Sequence, residues 1–583
     1  MLKKDNYLLV LLFVLSVIPA VWVGSSILKY GVNFPFLDDW VVAPYLYRYF
    51  NYFNIPFHDL IGQHNESRPV FPRFIFIGLA SLTKWDKKCE MLVILAIACF
   101  TSFNIYRLNT LTIKGSIIKG VLILIILNIL IFSPTQYENW LWGVQILVVM
   151  PMFCISTAIL VSYSSIKPIN KVIICICLAT ISTFSYANGI VAWLVILPVL
   201  ACNNWCDFKG KKSLSILWIA GFVLNAYLYF YNYHKPPQHP DILKNTNSID
   251  LLEYFFCFLG SPFAFTKLTT AAIVGVALVI TFIGVCAYLL YFRKDYILWH
   301  RAIGWMSIAS YTIISALVTA SGRVGFGVGQ SMASRYTTFS LYLPIALIPL
   351  VVIIIEHSRQ QGYLLKQKQI VTGTILVLLT ILMYLHTTSA SIAMQMMSNW
   401  RSDRLQGKAC LMFLNVLPEE KCLKEKVFPN IDAVKDLGSK INSIGFLNPP
   451  LLTGNKIQDM QWVIEGNTEA YGWFDALREV SKNEYVASGW AVLPDRNEPA
   501  DAVVLTYEDT KKGDIIFGIS DTRIARQDVV KVFTQKEYLM SGWQKSFSAS
   551  RLPKGKLKVD AWAYDTNTGK AFKLNQSHII QNQ

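Results

Sequence analysis

Two adjacent aspartates, Asp38 and Asp39, stand just beyond the first long apolar run, in the stretch NFPFLDDWVVAPYLYRYF. A carboxylate at the edge of a membrane is partly desolvated, which raises its pKa, and a neighbouring Arg or His⁺ would hold it ionised. Such a group suits a general base acting on a sugar hydroxyl. Asp39 is the better placed of the two to cap a helix beginning near Trp40, which leaves Asp38 as the preferred base. A second polar knot, His64, Glu66 and Arg68, follows in HDLIGQHNESRPVFPRF.

Glu138 lies in SPTQYENWLWGVQ, between Tyr137 and the pair Trp140 and Trp142, with Gln145 close behind. Aromatic faces stack on the apolar sides of sugar rings, so this segment reads either as a carbohydrate wall with an acid in it or as an interfacial aromatic belt. Arg323 and Arg335 flank Gly325, Gly327 and Gly329 in SGRVGFGVGQSMASRYTTFS, and Tyr336 adjoins the second arginine. The planar guanidinium fork binds phosphate, and glycines let backbone amides approach an anion. Between Arg293 and Arg359 the only acids are Asp295 and Glu356, both expected at the opposite membrane face. The two arginines therefore read as lacking a local acidic partner and awaiting an anion. Polyprenyl phosphate lodged at the membrane edge is one such anion; ordinary anchoring to anionic headgroups is the plainer alternative. No strand precedes the glycines and no Walker lysine follows, so they are no nucleotide loop.

The expected catalytic carboxylates are thus Asp38, Asp39, Glu66 and Glu138. The expected substrate-binding residues are His64, Arg68, Trp140, Trp142, Gln145, Arg323, Arg335 and Tyr336. His234 and His239, in a proline-rich loop over 234–267 that could serve as a lid, have no metal-ligand spacing. No cofactor is expected, and no metal is indicated.

The elements that must position these residues are membrane helices. The chain has 583 residues, 54% hydrophobic and 15% charged, against roughly 25% charged in an average soluble domain. Before residue 390, apolar runs recur at close to the ~20 residues needed to cross a bilayer. Spans are expected near 7–28, 89–106, 119–133, 146–163, 171–185, 189–203, 213–233, 268–291, 301–320, 338–355 and 370–388, about eleven in all. Val70–Thr83 is too short to span comfortably and suits a helix lying at the interface, as does the segment over 40–53.

Residues 1–389 hold 28 Lys+Arg against 14 Asp+Glu, whereas residues 390–583 hold 25 against 23. The excess falls in short loops: Arg107, Lys114, Lys119, Lys167, Lys171, Lys209, Lys211, Lys212, Arg293, Lys294, Arg301, Arg359, Lys366 and Lys368. That is the positive-inside bias, so the net charge of +16 argues for a membrane orientation and against a nucleic-acid partner. It puts the N-terminus in the cytoplasm and, with eleven spans, the C-terminus outside. The polar knots then all face outward.

The remainder divides into a helical connector over 390–465 and a soluble domain over 466–583. Cys410 and Cys422 flank the connector segment CLMFLNVLPEEKC, where a disulfide suits an oxidising periplasm. Short alternating runs such as EYVASGWAV, ADAVVLTYE, DIIFGIS and KLKVDAWAYD read as an antiparallel β-sandwich of seven or eight strands. Gly489-Trp490 and Gly542-Trp543 read as core aromatics. No nucleophile and base are grouped in this domain, which reads as a binding or spacer module.

Taken together, the chain resembles the GT-C-type membrane glycosyltransferases of bacteria. The resemblance rests on Asp38-Asp39 after the first span, the helices near 40–53 and 70–83, and the outer C-terminal domain. The stretches Gln63–Arg68 and Ser334–Ser340 are similar to those of other bacterial membrane proteins. Membership would imply an inner-membrane enzyme with a polyprenyl-phosphate-linked sugar donor, an extracytoplasmic glycan, lipid or protein acceptor (a cell-surface glycan such as O-antigen), and inversion at the anomeric carbon. Asp38 or Asp39 would be the base, and Arg323 and Arg335 would hold the departing phosphate. Metal-dependent members carry spaced acidic motifs, from which the adjacent pair here departs. Two other readings compete. An O-antigen polymerase or ligase also uses outer-loop arginines, and a lipid or solute transporter would place ionisable groups near the bilayer midplane, where this sequence has almost none.

Overall fold

The computed structural model describes residues 2–203, 212–237, 239, 247–362, 368–460, 471–520 and 523–582. Lys209, Lys211 and Lys366, counted above among the basic loop residues, lie outside the described residues, as does the expected boundary between connector and sandwich.

Nine helices among the described residues are long and apolar enough to cross a membrane: Tyr7–Tyr30, Lys87–Thr112, Ile117–Leu141, Gly143–Tyr163, Lys212–Phe230, Leu268–Tyr291, Tyr296–Phe326, Ser334–Gln360 and Thr372–Met412. They coincide with nine expected spans. The two expected at 171–185 and 189–203 form the shorter apolar helices Pro168–Thr183 and Ala187–Cys202. The expected count of eleven is therefore not reached on length alone. The interfacial candidates form as short helices, Ala43–Tyr52 with Pro44 in its first turn and Val70–Thr83.

Two compact units are present. The first comprises residues 1–31, 56–76 and 88–398; the second comprises 32–55, 77–87 and 399–583.

In the first unit the helices are pinned by polar contacts that the surrounding apolar medium makes hard to give up. Asn104 bonds Ser156 and Thr157, and Ser102 bonds Asn128. Ser248–Gly260 and Leu268–Tyr291 form a tight pair because glycines face each other's backbone. A Cβ on Gly260 would stand 1.9 Å from the Ala271 carbonyl oxygen, and one on Gly275 2.0 Å from that of Phe256. At one end of the helices, Lys119 and Arg301 both bind Glu356, and His357 lies 3.0 Å from Asp295. Asp295 also caps the helix that follows it by accepting the Leu298 N–H. The opposite end gathers the polar knots considered below.

The second unit carries the β-domain. Its first sheet joins β1 (Gly472–Ser481), β2 (Glu484–Leu493), β3 (Glu498–Pro499) and β6 (Gly542–Ser548). Its second joins β4 (Ala502–Asp509), β5 (Gly513–Ser520), β7 (Gly555–Asp565), β8 (Lys570–Lys573) and β9 (His578–Asn582). Every pairing is antiparallel. Among the described residues there are nine strands where seven or eight were expected, because β3 and β8 are too short to announce themselves in the sequence. Alternating residues from both sheets, among them Phe474, Leu505, Trp543, Val559 and Phe572, form one core. Trp543 is thus the core aromatic expected, while Trp490 packs on a smaller cluster around Val529 and Tyr538. Cys410 and Cys422 are disulfide-bonded, as expected.

Candidate functional site

The polar site of the first unit is built on Glu66. His64 and Ser67 exchange backbone hydrogen bonds of 2.8 and 2.9 Å, closing a tight turn with Asn65 at φ 48°. Asparagine tolerates that left-handed backbone better than most side chains, and Glu66 stands beside it in the turn. The turn is fixed from two sides. Ser67 Oγ accepts the Ala187 N–H at 3.0 Å, and the Tyr229 hydroxyl donates to the Glu66 carbonyl.

The Glu66 carboxylate is shared. Arg323 Nη2 lies 2.6 Å from Glu66 Oε1, and His239 Nδ1 lies 2.8 Å from the same oxygen. Phe326 packs edge-on to His239 and under the Arg323 guanidinium. Burial pushes the His239 imidazole below its ordinary value of 6.5, an effect that Arg323 and Lys235 reinforce and Glu66 opposes. The ring is therefore neutral at pH 7. A carboxylate can only accept, so Nδ1 carries the ring proton and Nε2 keeps a lone pair. A neutral imidazole oriented by a carboxylate is the arrangement that activates hydroxyl groups.

A second pair stands nearby. Arg335 Nη1 is 3.5 Å from Glu138 Oε2, and the Arg335 backbone N–H donates to the same oxygen at 3.0 Å. Glu138 thus caps the start of the Ser334–Gln360 helix. Its segment is zipped to that helix through Glu138 N–H to Ser334 Oγ and through Asn139 to the Arg335 carbonyl and Thr338. The Arg335 side chain is 37% exposed. Its Cζ lies 5.4 Å from the centroid of the Tyr336 ring, which stacks on Phe258.

Tyr186, stacked on Phe339, joins the two pairs: Tyr336, Glu66, Arg323 and Arg335 all act on its hydroxyl. Burial raises that hydroxyl well above its ordinary value, as do Tyr336 and Glu66. It therefore stays a proton donor.

Several expectations are corrected. Arg323 and Arg335 do not lack acidic partners, because the tertiary fold brings Glu66 and Glu138 to them from far along the chain. Arg68 is not a ligand-binding group. It is buried and donates to the carbonyls of Ile61, Tyr229 and Tyr231, clamping the Glu66 turn in place. The carbohydrate wall is absent, since Trp140, Trp142 and Gln145 are buried. Trp140 donates to the Ser133 carbonyl and stacks on Phe132. Glu138 is tied to a helix start instead of standing free as an acid.

Asp38 and Asp39 belong to the second unit. Asp39 is buried, with Lys87 Nζ 2.6 Å from its Oδ1, each side chain 1% exposed. Its Oδ2 accepts the Phe36 N–H at 3.0 Å. Desolvation pushes the Asp39 carboxyl up against the pull of Lys87. A group so enclosed meets no substrate, and Asp39 is a structural ion pair, not a base. Asp38 sits half-buried on the same turn.

A lone histidine among prolines carries no spacing signal, so only the fold shows the carboxylate that His239 meets. Among the described residues no group of three His, Cys, Asp or Glu side chains is placed to share a metal ion. Compared with protein-family models, curated proteins and solved structures, the chain matches none of them.

Proposed function

We propose that this protein is a GT-C-like glycosyltransferase of a bacterial inner membrane, which moves a sugar from a polyprenyl-phosphate donor to an extracytoplasmic acceptor with inversion. The observation that carries the reading is the Glu66 carboxylate held jointly by Arg323 and His239 at one end of a bundle of membrane-length helices, with a second arginine, Arg335, in the first turn of the Ser334–Gln360 helix. Neutral His239, oriented by Glu66, takes the proton of an acceptor hydroxyl as that oxygen attacks the anomeric carbon from the face opposite the phosphate. Arg335, the more exposed of the two arginines, carries the charge that grows on the departing lipid phosphate, and Arg323 adds to it.

This assigns to His239 and Glu66 the role first expected of Asp38. Eleven spans, counting the two short helices, would carry the C-terminal unit to the face opposite the cytoplasmic N-terminus. The Cys410–Cys422 disulfide supports an oxidising compartment there.

The test is mass spectrometry of cell-surface glycans from cells with the intact protein, without it, and with His239→Gln. Loss of one sugar residue in both altered strains is expected. Unchanged glycans on deletion would sink the reading, and longer or shorter repeats without loss of a sugar would move it to the polymerase class.

A further inference from the structure

Tyr254 stands in SIDLLEYFFCFLG, on the Ser248–Gly260 helix whose position is locked by the Gly260 and Gly275 contacts. One turn on, Phe258 stacks on Tyr336 with ring centroids 5.8 Å apart, and Arg335 lies over the other ring of that pair. Residues four apart share a helix face, so Tyr254 belongs to the same wall. Tyr336, Arg323, Arg335 and Tyr186 are the groups whose charge it feels.

Its side chain is fully buried, at 0% exposure, and its hydroxyl has no hydrogen-bond partner among the described residues. Enclosed hydroxyls are normally satisfied, because leaving one unmade forfeits its hydration with nothing in return. An apolar phenylalanine would fill the same volume without that penalty. An O–H donor without an acceptor, on the wall where Arg335 lies over Tyr336 and is shared with Glu138, is completed by an oxygen acceptor that a ligand brings. The neighbouring Val324–Ser334 stretch leaves open space at its glycines, where a Cβ at Gly327 or Gly329 would meet nothing within 4 Å.

We propose that Tyr254 donates a hydrogen bond to a phosphate oxygen held by Arg323 and Arg335, and is a binding residue for the phosphate of a lipid-linked ligand. The inference rests on the proposed function for the phosphate role of the arginines, and adds to it a neutral donor that selects an oxyanion. Arginine supplies charge, and the phenol supplies direction.

The full-length protein in detergent tests this by its thermal midpoint, titrated with farnesyl phosphate, farnesol or inorganic phosphate. Farnesyl phosphate should raise the midpoint of the wild type and farnesol should not. Tyr254→Phe should keep or slightly raise the unliganded midpoint, yet bind farnesyl phosphate about tenfold or more weakly. Inorganic phosphate acting as well as farnesyl phosphate, with the same tenfold loss in Tyr254→Phe, would support the hydrogen bond and make free phosphate its source. Unchanged affinity in Tyr254→Phe while Arg335→Ala loses binding would overturn the Tyr254 contact alone. Unchanged affinity in Arg335→Ala would overturn the phosphate reading beneath it, and a wild type that no phosphate compound shifts would overturn both. A fall of several degrees in the unliganded Tyr254→Phe midpoint would show that the hydroxyl has a partner in the fold, and would also overturn the proposal.

Discussion

Glu66, in a tight turn after the first membrane-length helix, and Arg323, in the last turn of the helix that begins at Tyr296, meet with 2.6 Å between carboxylate oxygen and guanidinium nitrogen. His239 adds a second contact to the same oxygen. One carboxylate therefore links two loops and a helix end, and the alternation of the long apolar helices is what brings them to one end.

Glu66→Gln should cut transfer to the acceptor by 10²-fold or more, a typical general-base contribution, because it removes the charge that orients His239. Asp38→Asn should leave transfer within a few-fold of wild type. A sugar-transfer assay on membranes from the two variants decides between them. The reverse pattern would return the base to Asp38.

The His239 base must be unprotonated to act. Its pKa lies below the ordinary 6.5 because the ring is desolvated. Transfer should therefore fall as pH drops through the ring's lowered pKa, at a lower pH than an ordinary imidazole would set. His239→Gln should lower the plateau and abolish this acid limb. A pH profile of the initial rate in both proteins checks the sign.

Asp39 and Lys87 form an ion pair with both side chains 1% exposed. Removing one member takes away the close buried countercharge of the other, so Lys87→Met should destabilise the second unit by about 3–5 kcal/mol. The double variant Asp39→Leu with Lys87→Met should recover much of that loss. Thermal denaturation of the three proteins measures it, and a double variant as weak as the single would contradict the pairing.

In the β-domain Arg496 holds Asp501 by two hydrogen bonds, of 2.9 and 3.1 Å, and Thr566 donates twice more. Desolvation pushes the Asp501 carboxyl up, but Arg496 and Thr566 together outweigh it and keep it below its ordinary 3.8. The unfolded chain therefore takes up this proton first as pH falls. The stability it contributes is complete above about pH 4 and is lost as pH drops through the folded-state value. Asp501→Asn should be less stable at pH 7 and flatter with pH between 5 and 3. Denaturation midpoints across that range test both.

Apolar run length, loop charge and period-two alternation are local properties, and each was legible. They placed nine membrane-length helices, the short helices at 43–52 and 70–83, the Cys410–Cys422 bond and the strands β2, β4, β5, β6 and β7. The polar knots were legible too, because charged residues in short loops between spans stand out. Their partners were not. Asp39 looked reactive beside a span, but only the fold could show Lys87 enclosing it. Trp140 and Trp142 looked like a sugar-stacking wall until helix packing buried them. The pairing of Glu66 with Arg323 and His239, and of Glu138 with Arg335, depends on which loops alternate to the same end and how closely they then pack. Residue spacing along one strand of sequence carries no record of that, so composition and periodicity determined the kind of protein, and the tertiary structure alone decided which carboxylate meets which base.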